Sequence, residues 1–412
     1  MTTVTETTRP TEPKAPLSGE FTATRAELLN ALTTVGASIS TQPAIPVMAG
    51  VLLESQGADL LVRGYDYDTS TTVRIVGAVR TSGRVLVSHA QLNKLLTVLV
   101  KGVRKRDADN LPVTMRVEDT QFATVELADS VIPLELLPVE DYPDLPEQPN
   151  VFAHVDAGEF TAETGRVLRA VGRDDTLPAL TGMKIDVGDH GLTLAATDRY
   201  RLAVGYVHAD IATDAPEKGA LIDGALLGRI LPKLAGGDIR LGYGPGPFGG
   251  LVSLESGHVS VVARLHNDGE FIKYAERLPT VVQGTVVLDR ADLLTQTERA
   301  AGVLAATMSK SQNTPVEVTV SADSVRVAPH LGEGAEHVRT RALSAQVSGI
   351  SEATCFGLNH VFLIDALKSF TGDTVTLHTI SPTKPFLLTD APGGLVDHTA
   401  FRHLLMPVRL TA

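Results

Sequence analysis

The chain has 412 residues, 43% of them hydrophobic and 20% charged. At ~150 residues per domain that is the composition of a two- or three-domain globular protein, not of a disordered or fibrous one. A net charge of −12, no tryptophan and only 4% aromatic residues exclude a globally basic nucleic-acid binder and a single-strand binder built on stacking platforms, while leaving room for a locally basic surface.

No run approaches the ~20 apolar residues a membrane helix needs. The N-terminus lacks a secretory signal, and the single cysteine, Cys355, rules out an internal disulfide or a multi-cysteine metal site. The expectation is a cytoplasmic protein with no membrane association. Residues 1–19 hold six threonines and prolines at 10, 13 and 16, and read as a disordered tail that cannot repay its ordering entropy. The remainder divides into three stretches of roughly 130 residues, a length that invites a search for repeats.

In the first stretch a helix is expected near Thr24, with Glu27-Leu28 early in it, and a second at Ser88, carrying Lys94 and Lys101. The second stretch opens a helix over about Asp156 to Gly172, with Glu159-Phe160, and another at Asp223, where Pro232 should kink or shorten it. The third opens at Asp289, with Asp292-Leu293, and again at Asn359. Ser88, Asp223 and Asn359 are good N-caps, because each side chain accepts a hydrogen bond from a free first-turn amide. Leu28, Phe160 and Leu293 are 132 and 133 residues apart; Ser88, Asp223 and Asn359 are 135 and 136 apart. Leu145-Pro146 and Leu278-Pro279 close two of the stretches. The boundaries read 20–148, 149–280 and 281–412.

Between the helices the period is two. Val316, Val318 and Val320, then Val325 and Val327 across Ala322-Asp323-Ser324, predict a hairpin; Val259-Ser260-Val261 and Thr374 to Leu377 predict further strands. Two helices and many short strands per repeat predict three similar α+β domains, with sheets packed outside helices.

On the helix from Asp156, Phe160, Thr164, Val167, Leu168 and Val171 share one face, and Arg166, Arg169 and Arg173 the other. Arg229 and Lys233 are four apart on the next helix; Arg290, Arg299 and Lys368 lie on the third pair. Any one such face reads as merely solvated. Recurring on six helices of an acidic chain, basic residues predict a positive surface that takes a phosphate backbone without reading sequence.

Other chemistry is not visible. Gly244, Gly246 and Gly249 fit G-x-G-x-x-G, but Pro245 and Pro247 interrupt it between strand-like runs, so it reads as a loop. Asp66 and Asp68 read as a solvated strand end, His398 and His403 as a surface loop, and Cys355 as a structural thiol. No catalytic residue, metal site or cofactor is implied.

Several longer stretches carry a resemblance: Ile45-Pro46-Val47-Met48, Pro138 to Pro143, Gly172-Arg173-Asp174-Asp175-Thr176-Leu177-Pro178, Ala196-Thr197-Asp198-Arg199-Tyr200-Arg201-Leu202-Ala203 and Leu404-Leu405-Met406-Pro407-Val408-Arg409-Leu410. With them the chain resembles the bacterial DNA polymerase sliding clamp family, the β subunit of polymerase III, along nearly its whole length after the tail, and the actinobacterial branch is most alike. The resemblance implies a head-to-tail homodimeric ring around duplex DNA, non-catalytic, that tethers the replicative polymerase, clamp loader and repair proteins through short linear peptides. It implies a partner site of Leu180, Thr197, Arg199, Tyr200, Arg201, Leu202, Ile272, Arg277, Pro385, Leu404, Met406, Pro407, Val408, Arg409 and Leu410. Ile132 and Leu134 would meet Val303 and Leu304 across the dimer seam. Arg166, Arg169, Arg173, Arg229, Lys233, Lys94 and Lys101 would face DNA.

Departures from the family pattern are Gln42, Ala90 and Ala225 where basic residues are usual, Ile272 for a rim proline, and His403 for a tyrosine. They favour, as an alternative, an auxiliary, inhibitor-resistant clamp with an altered pocket. An enzyme with an unrecognised site is the remaining alternative.

Overall fold

In the computed structural model, residues 19–410 are described except 41, 44, 118, 120, 214, 217–218, 235, 247–248, 267–270, 308–313 and 332–336. All but the last residue of the expected tail therefore lie outside the described residues, as does part of the glycine-rich loop after Gly244.

The six expected helix starts set the helical frame, each with a capping side chain. Thr24 accepts from the Glu27 amide, and the Glu27 carboxylate accepts from the Thr24 amide at 2.9 Å, a reciprocal capping box. It opens α1 (Arg25–Val35). Ser88 caps α2 (His89–Val98) through the Gln91 amide. The short α3 (Lys105–Asp109) follows. Asp156 caps α4 (Ala157–Val167) through the Glu159 amide at 2.7 Å. After α5 (Pro178–Thr181), Asp223 caps α6 (Gly224–Ile230). Asp289 accepts from the Asp292 amide at 2.7 Å at the start of α7 (Arg290–Thr307), and Asn359 caps α8 (His360–Ser369). Each such cap is worth about 1 kcal/mol.

Two helix ends bear on expectation. Pro232 stops α6 at Ile230, and a 3-10 turn over Leu231–Lys233 follows. The helix expected to reach Gly172 is shorter: α4 gives way to a 3-10 turn at Leu168–Ala170, because the Gly172 amide donates to the Leu180 carbonyl at 2.8 Å instead of continuing the helix.

The chain forms two compact units, one of residues up to 149 with 253–263, the other of 150–252 with 264 onward. In the first, an antiparallel sheet runs in the order 259–263, Thr69–Ile75, Asp59–Tyr65, Gly50–Gln56, Arg84–Ser88, Ser130–Leu137, Phe122–Leu127, Pro112–Val117, Glu20–Thr24, Val79–Thr81. Leu28, Leu32 and Val35 of α1 and Leu92 and Leu96 of α2 pack on its Val51, Leu53, Val62, Val85 and Val87.

The second unit carries a twelve-stranded sheet. Its order is Ala220–Asp223, Gly182–Val187, Gly191–Thr197, Arg201–His208, Arg402–Leu405, Phe386–Thr389, Thr374–Thr379, Gly284–Asp289, Ala342–Ser348, Ser324–Pro329, Pro315–Val320, Thr354–Asn359. The expected valine hairpin is in it, with Val320 opposite Val325 and Val318 opposite Val327. The paired strands Asp210–Ile211, Val151–Asp156 and Asp238–Gly244 complete the unit. The molecule is thus α+β, with three successive pairs of capped helices packed on antiparallel sheets. Among the described residues no helix is long and apolar enough to cross a membrane.

Two expected interface residues are corrected. Leu134 is only 3% exposed and sits in the first core, and Leu304 is 4% exposed. Alternate residues of a strand face opposite sides: Leu134 turns inward while Val131, 60% exposed, and Pro133 turn out, and Ile132 is half-buried and outside the core cluster. Val303, on the outer side of α7, is 41% exposed.

Candidate partner groove and basic helix residues

The segment Thr197 to Arg201 is a tight turn closed by its own side chains. The Thr197 hydroxyl donates to the Arg201 carbonyl at 2.6 Å and accepts from the Arg199 amide. Asp198 Oδ1 accepts from the Tyr200 and Arg201 amides, both at 3.0 Å. Arg199 adopts φ +79°, the left-handed region that costs a side-chain-bearing residue roughly 1–2 kcal/mol. The turn throws Tyr200 outward, 55% exposed, and draws Arg201 in.

Arg201 then joins the turn to α8. Its guanidinium donates to Asp198 at 2.9 Å and to Asp365 at 2.6 Å, and lies 4.6 Å from the centre of the Phe362 ring. Tyr200 stacks on the same Phe362 with ring centres 6.2 Å apart. Next to the turn Ala195, Leu202, Val204, Leu387 and Leu404 form a buried apolar cluster, the floor of this region, with Phe271, Tyr274, Leu278 and Leu395 packed against it.

The C-terminal segment packs on the same cluster. Leu404 pairs with Leu202 on one side and Leu387 on the other. The Met406 amide donates to the Tyr200 carbonyl and the Val408 amide to the Gly357 carbonyl, both at 2.8 Å. Gly357 lies so close under Val408 and Leu410 that a Cβ there would collide with both. Beyond it Pro407, Val408, Arg409 and Leu410 line a cleft of about 530 Å³ with Cys355, Pro382 and Thr383. Burial pushes the Cys355 thiol up, which makes it a poor nucleophile.

The turn residues, Leu202, Leu404 and Met406 therefore come together. Ile272, half-buried, follows Phe271 at the edge of the floor, its carbonyl accepting from the Tyr274 amide. Arg277 is exposed in the 3-10 turn after it, and Pro385 precedes the strand Phe386–Thr389. Leu180 sits in α5 bonded to Gly172 and is not among the side chains packed on the floor.

His403 is corrected from a surface loop to a strand. It faces Ala203 and Leu388 in register and is 0% exposed, and neither ring nitrogen finds a partner among the described residues. Burial, and after it the charges of Arg201, Arg169 and Arg166, push its pKa down to about 3.

Arg166 is also corrected. It does not share an outward face with Arg169 and Arg173. Its guanidinium donates to the Ser369 carbonyl at 2.7 Å, Glu163 at 2.9 Å and Asp390 at 3.1 Å, and lies 3.8 Å from the centre of the Phe401 ring. Burial raises the Glu163 pKa, against the pull of Arg166. By contrast Lys94, Lys101, Arg169, Arg173 and Arg229 are exposed and Lys233 half-buried. Among the described residues none of these six lies within 4.0 Å of a carboxylate. In the third pair Lys368 is spent on Glu298 at 2.8 Å and Arg290 on the Gly372 carbonyl at 2.6 Å.

Residues 19–146, 154–245 and 276–409 match the N-terminal, central and C-terminal domains of the DNA polymerase III beta subunit. The chain belongs to that family. It is 30% identical over 387 residues to the beta sliding clamp of Streptomyces coelicolor, covering 93% of this chain and 97% of that one. It is 26% identical to the beta sliding clamp homolog GriR of Streptomyces muensis, covering 94% and 99%. Among solved structures, the Bacillus subtilis sliding clamp has the same fold, with a TM-score of 0.82 at 20% identity over 96% of this chain and 100% of that one. The Pseudomonas aeruginosa clamp bound to griselimycin gives 0.81 at 22%, over 95% and 100%.

As a member of the clamp family the chain is a sliding clamp of DNA replication. Sequence reasoning misses Phe362 and Asp365, which meet the turn from α8. The available signal is an aromatic three residues after the Asn359 cap, off the stripe of Leu363, Ala366 and Leu367 that packs inward.

Proposed function

We propose that two copies of this chain close head to tail into a ring around duplex DNA, and that the ring tethers polymerase, clamp loader and repair proteins, whose short peptides seat in the groove of Tyr200, Leu202, Phe362, Leu404 and Met406. The ring works in the cytoplasm by enclosure and performs no chemistry of its own. The observation that carries this reading is a set of basic residues on or just beyond the helices, most of them exposed and none within ion-pair distance of a carboxylate among the described residues, in a chain with net charge −12. Such charges hold a phosphate backbone without fixing its register. Arg169, Arg173, Arg229, Lys233, Lys94 and Lys101 are assigned to that role, and Val131, Pro133 and Val303 to the seam between copies. The domain divisions at 148/149 and 280/281 belong to the same proposal.

The test is loading onto a nicked circular duplex. The protein stays on the circle through gel filtration and escapes once the circle is linearised; a stable monomer that never loads refutes the ring.

A second reading is favoured by Ile272 at the groove edge and by the full-length likeness to GriR: an auxiliary clamp with an altered pocket. Calorimetric titration with griselimycin, side by side with the Streptomyces coelicolor clamp, separates the two. Weaker binding here supports the auxiliary role, and equal affinity counts against it.

A further inference from the structure

The three repeats are built alike, so a segment that only one of them carries stands out. In each, the second capped helix leads into a strand that pairs with the strand ahead of the first helix. Thr24 lies opposite Pro112, Asp156 opposite Asp238, and Asp289 opposite Thr374. In the third repeat α8 ends at Ser369 and its strand begins at Thr374; in the second α6 ends at Ile230 and its strand begins at Asp238. In the first, α2 ends at Val98, the strand begins only at Pro112, and α3 lies between them. Two repeats make the connection with far less chain, so closing the domain does not call for the added segment.

The segment is nonetheless anchored. Ala108 is 2% exposed and packs in the first core. Asp109 accepts from the Arg25 guanidinium at 2.7 Å, and the same guanidinium donates to the Leu96 carbonyl. The Asp107 and Ala108 amides both donate to the Arg104 carbonyl. What this held turn presents to solvent is charge: Lys101, Arg104, Lys105 and Arg106 are all exposed, with Asp107 beside them. Elsewhere in the same unit Arg63 and Arg84 are spent on Glu54, Arg74 on Asp59, and Arg116 on Glu20 and Glu126. Lys101, Arg104, Lys105 and Arg106 have no carboxylate within ion-pair distance among the described residues.

We infer that Arg104, Lys105 and Arg106 form an added clasp for the phosphate backbone of duplex DNA, one that the first repeat alone provides and that extends the contact assigned to Lys94 and Lys101. The inference rests on the reading of the chain as a ring around duplex DNA. Consecutive helical residues leave the axis about 100° apart, so these three cations do not converge on a point as a pocket for one anionic group requires. They spread positive charge over a surface, which suits a polyanion whose charges recur at short intervals.

The test uses the full chain and a short fluorescein-labelled duplex, read by polarisation across a salt series. In the triple variant R104A/K105A/R106A the slope of log affinity against log salt is expected to shrink by about 2–3, at roughly 0.9 for each phosphate no longer neutralised. R104K/R106K keeps the charge and should keep the unmodified slope. The anchors Ala108 and Asp109 are untouched, so urea unfolding of the triple variant should match the unmodified chain. An unchanged slope in a folded triple variant overturns the inference. So does a triple variant that loses binding to phosphatidylglycerol vesicles while its slope on DNA stays the same, since the clasp would then serve a lipid surface. Retention on a nicked circle reads the ring separately: an unmodified chain that is retained while the triple variant keeps its slope loses the clasp and keeps the ring. An unmodified chain that neither binds the duplex nor stays on the circle loses both.

Discussion

Arg166 and Arg169 lie one turn apart in the same helical segment and meet opposite fates. Arg166 has three acceptors and the Phe401 ring around its guanidinium, while Arg169 is exposed and unpaired among the described residues. The difference is made by residues more than 200 positions away. Ser369 and Asp390 supply the acceptors and Phe401 the ring face. Helical spacing says which residues share a face; it is silent on what distant chain will cover part of that face. A basic stripe in a sequence can therefore divide into structural cations and free ones.

The comparison breaks first on stability. Arg166→Ala removes three hydrogen bonds and leaves Glu163 buried beside Asp390 with no cation, a loss of about 3–5 kcal/mol. Arg169→Ala should stay within about 0.5 kcal/mol of the unmodified chain. Urea unfolding of the two variants checks this, and equal losses would erase the distinction.

His403 is the second test, because it is buried beneath the arginines of the same region. Its pKa is held at about 3 against an ordinary 6.5. The unfolded chain thus binds a proton that the folded chain refuses. Stability is whole above pH 6.5 and falls as pH drops from 6.5 toward 3, by about 2 kcal/mol at pH 5. Glu163, pushed up by burial, works in the opposite sense, so the readout is the difference between the unmodified chain and His403→Leu across pH 8 to 5. The variant should lack this limb of the acid loss. A parallel decline of the two curves would mean that His403 is protonated in the fold.

How far the sequence can be read follows from the same physics. All six helix starts are legible, three of them by their caps, because a cap is a local bond between neighbours. So is the stop at Pro232, and so is the valine hairpin, where polar residues alternate with apolar ones. In the stretch Val131, Ile132, Pro133, Leu134 every residue is apolar. Period two carries no signal there, and Leu134 falls on the inner face. His403 is misread as a loop because its strand, Arg402–Leu405, is four residues long and buried throughout. In the groove, the turn and the C-terminal residues come from resemblance. Phe362 and Asp365 are invisible because their role depends on a meeting of distant segments that no local pattern encodes.

A third test sharpens the comparison at the exposed end of the scale. Arg199→Gly relieves a left-handed backbone and removes no packing. It should raise stability by about 1 kcal/mol, seen as a higher Tm in differential scanning calorimetry. If Tm falls instead, the Arg199 side chain contributes to the folded groove itself, and its exposure misrepresents its role.

The smallest stability effect carries the clearest functional one. Arg169→Ala combined with Arg229→Ala should leave unfolding within about 0.5 kcal/mol of the unmodified chain, since both side chains are exposed and neither meets a carboxylate among the described residues. On duplex DNA the same pair should flatten the dependence of log binding on log salt, by roughly 0.9 for each phosphate no longer neutralised. Arg166→Ala, assayed at a temperature where it remains folded, should keep the unmodified slope, because its charge is already spent on Glu163 and Asp390. Identical slopes in all three proteins would show that the exposed arginines touch no phosphate. The positive surface would then belong to Lys94 and Lys101, which the same titration can test in turn.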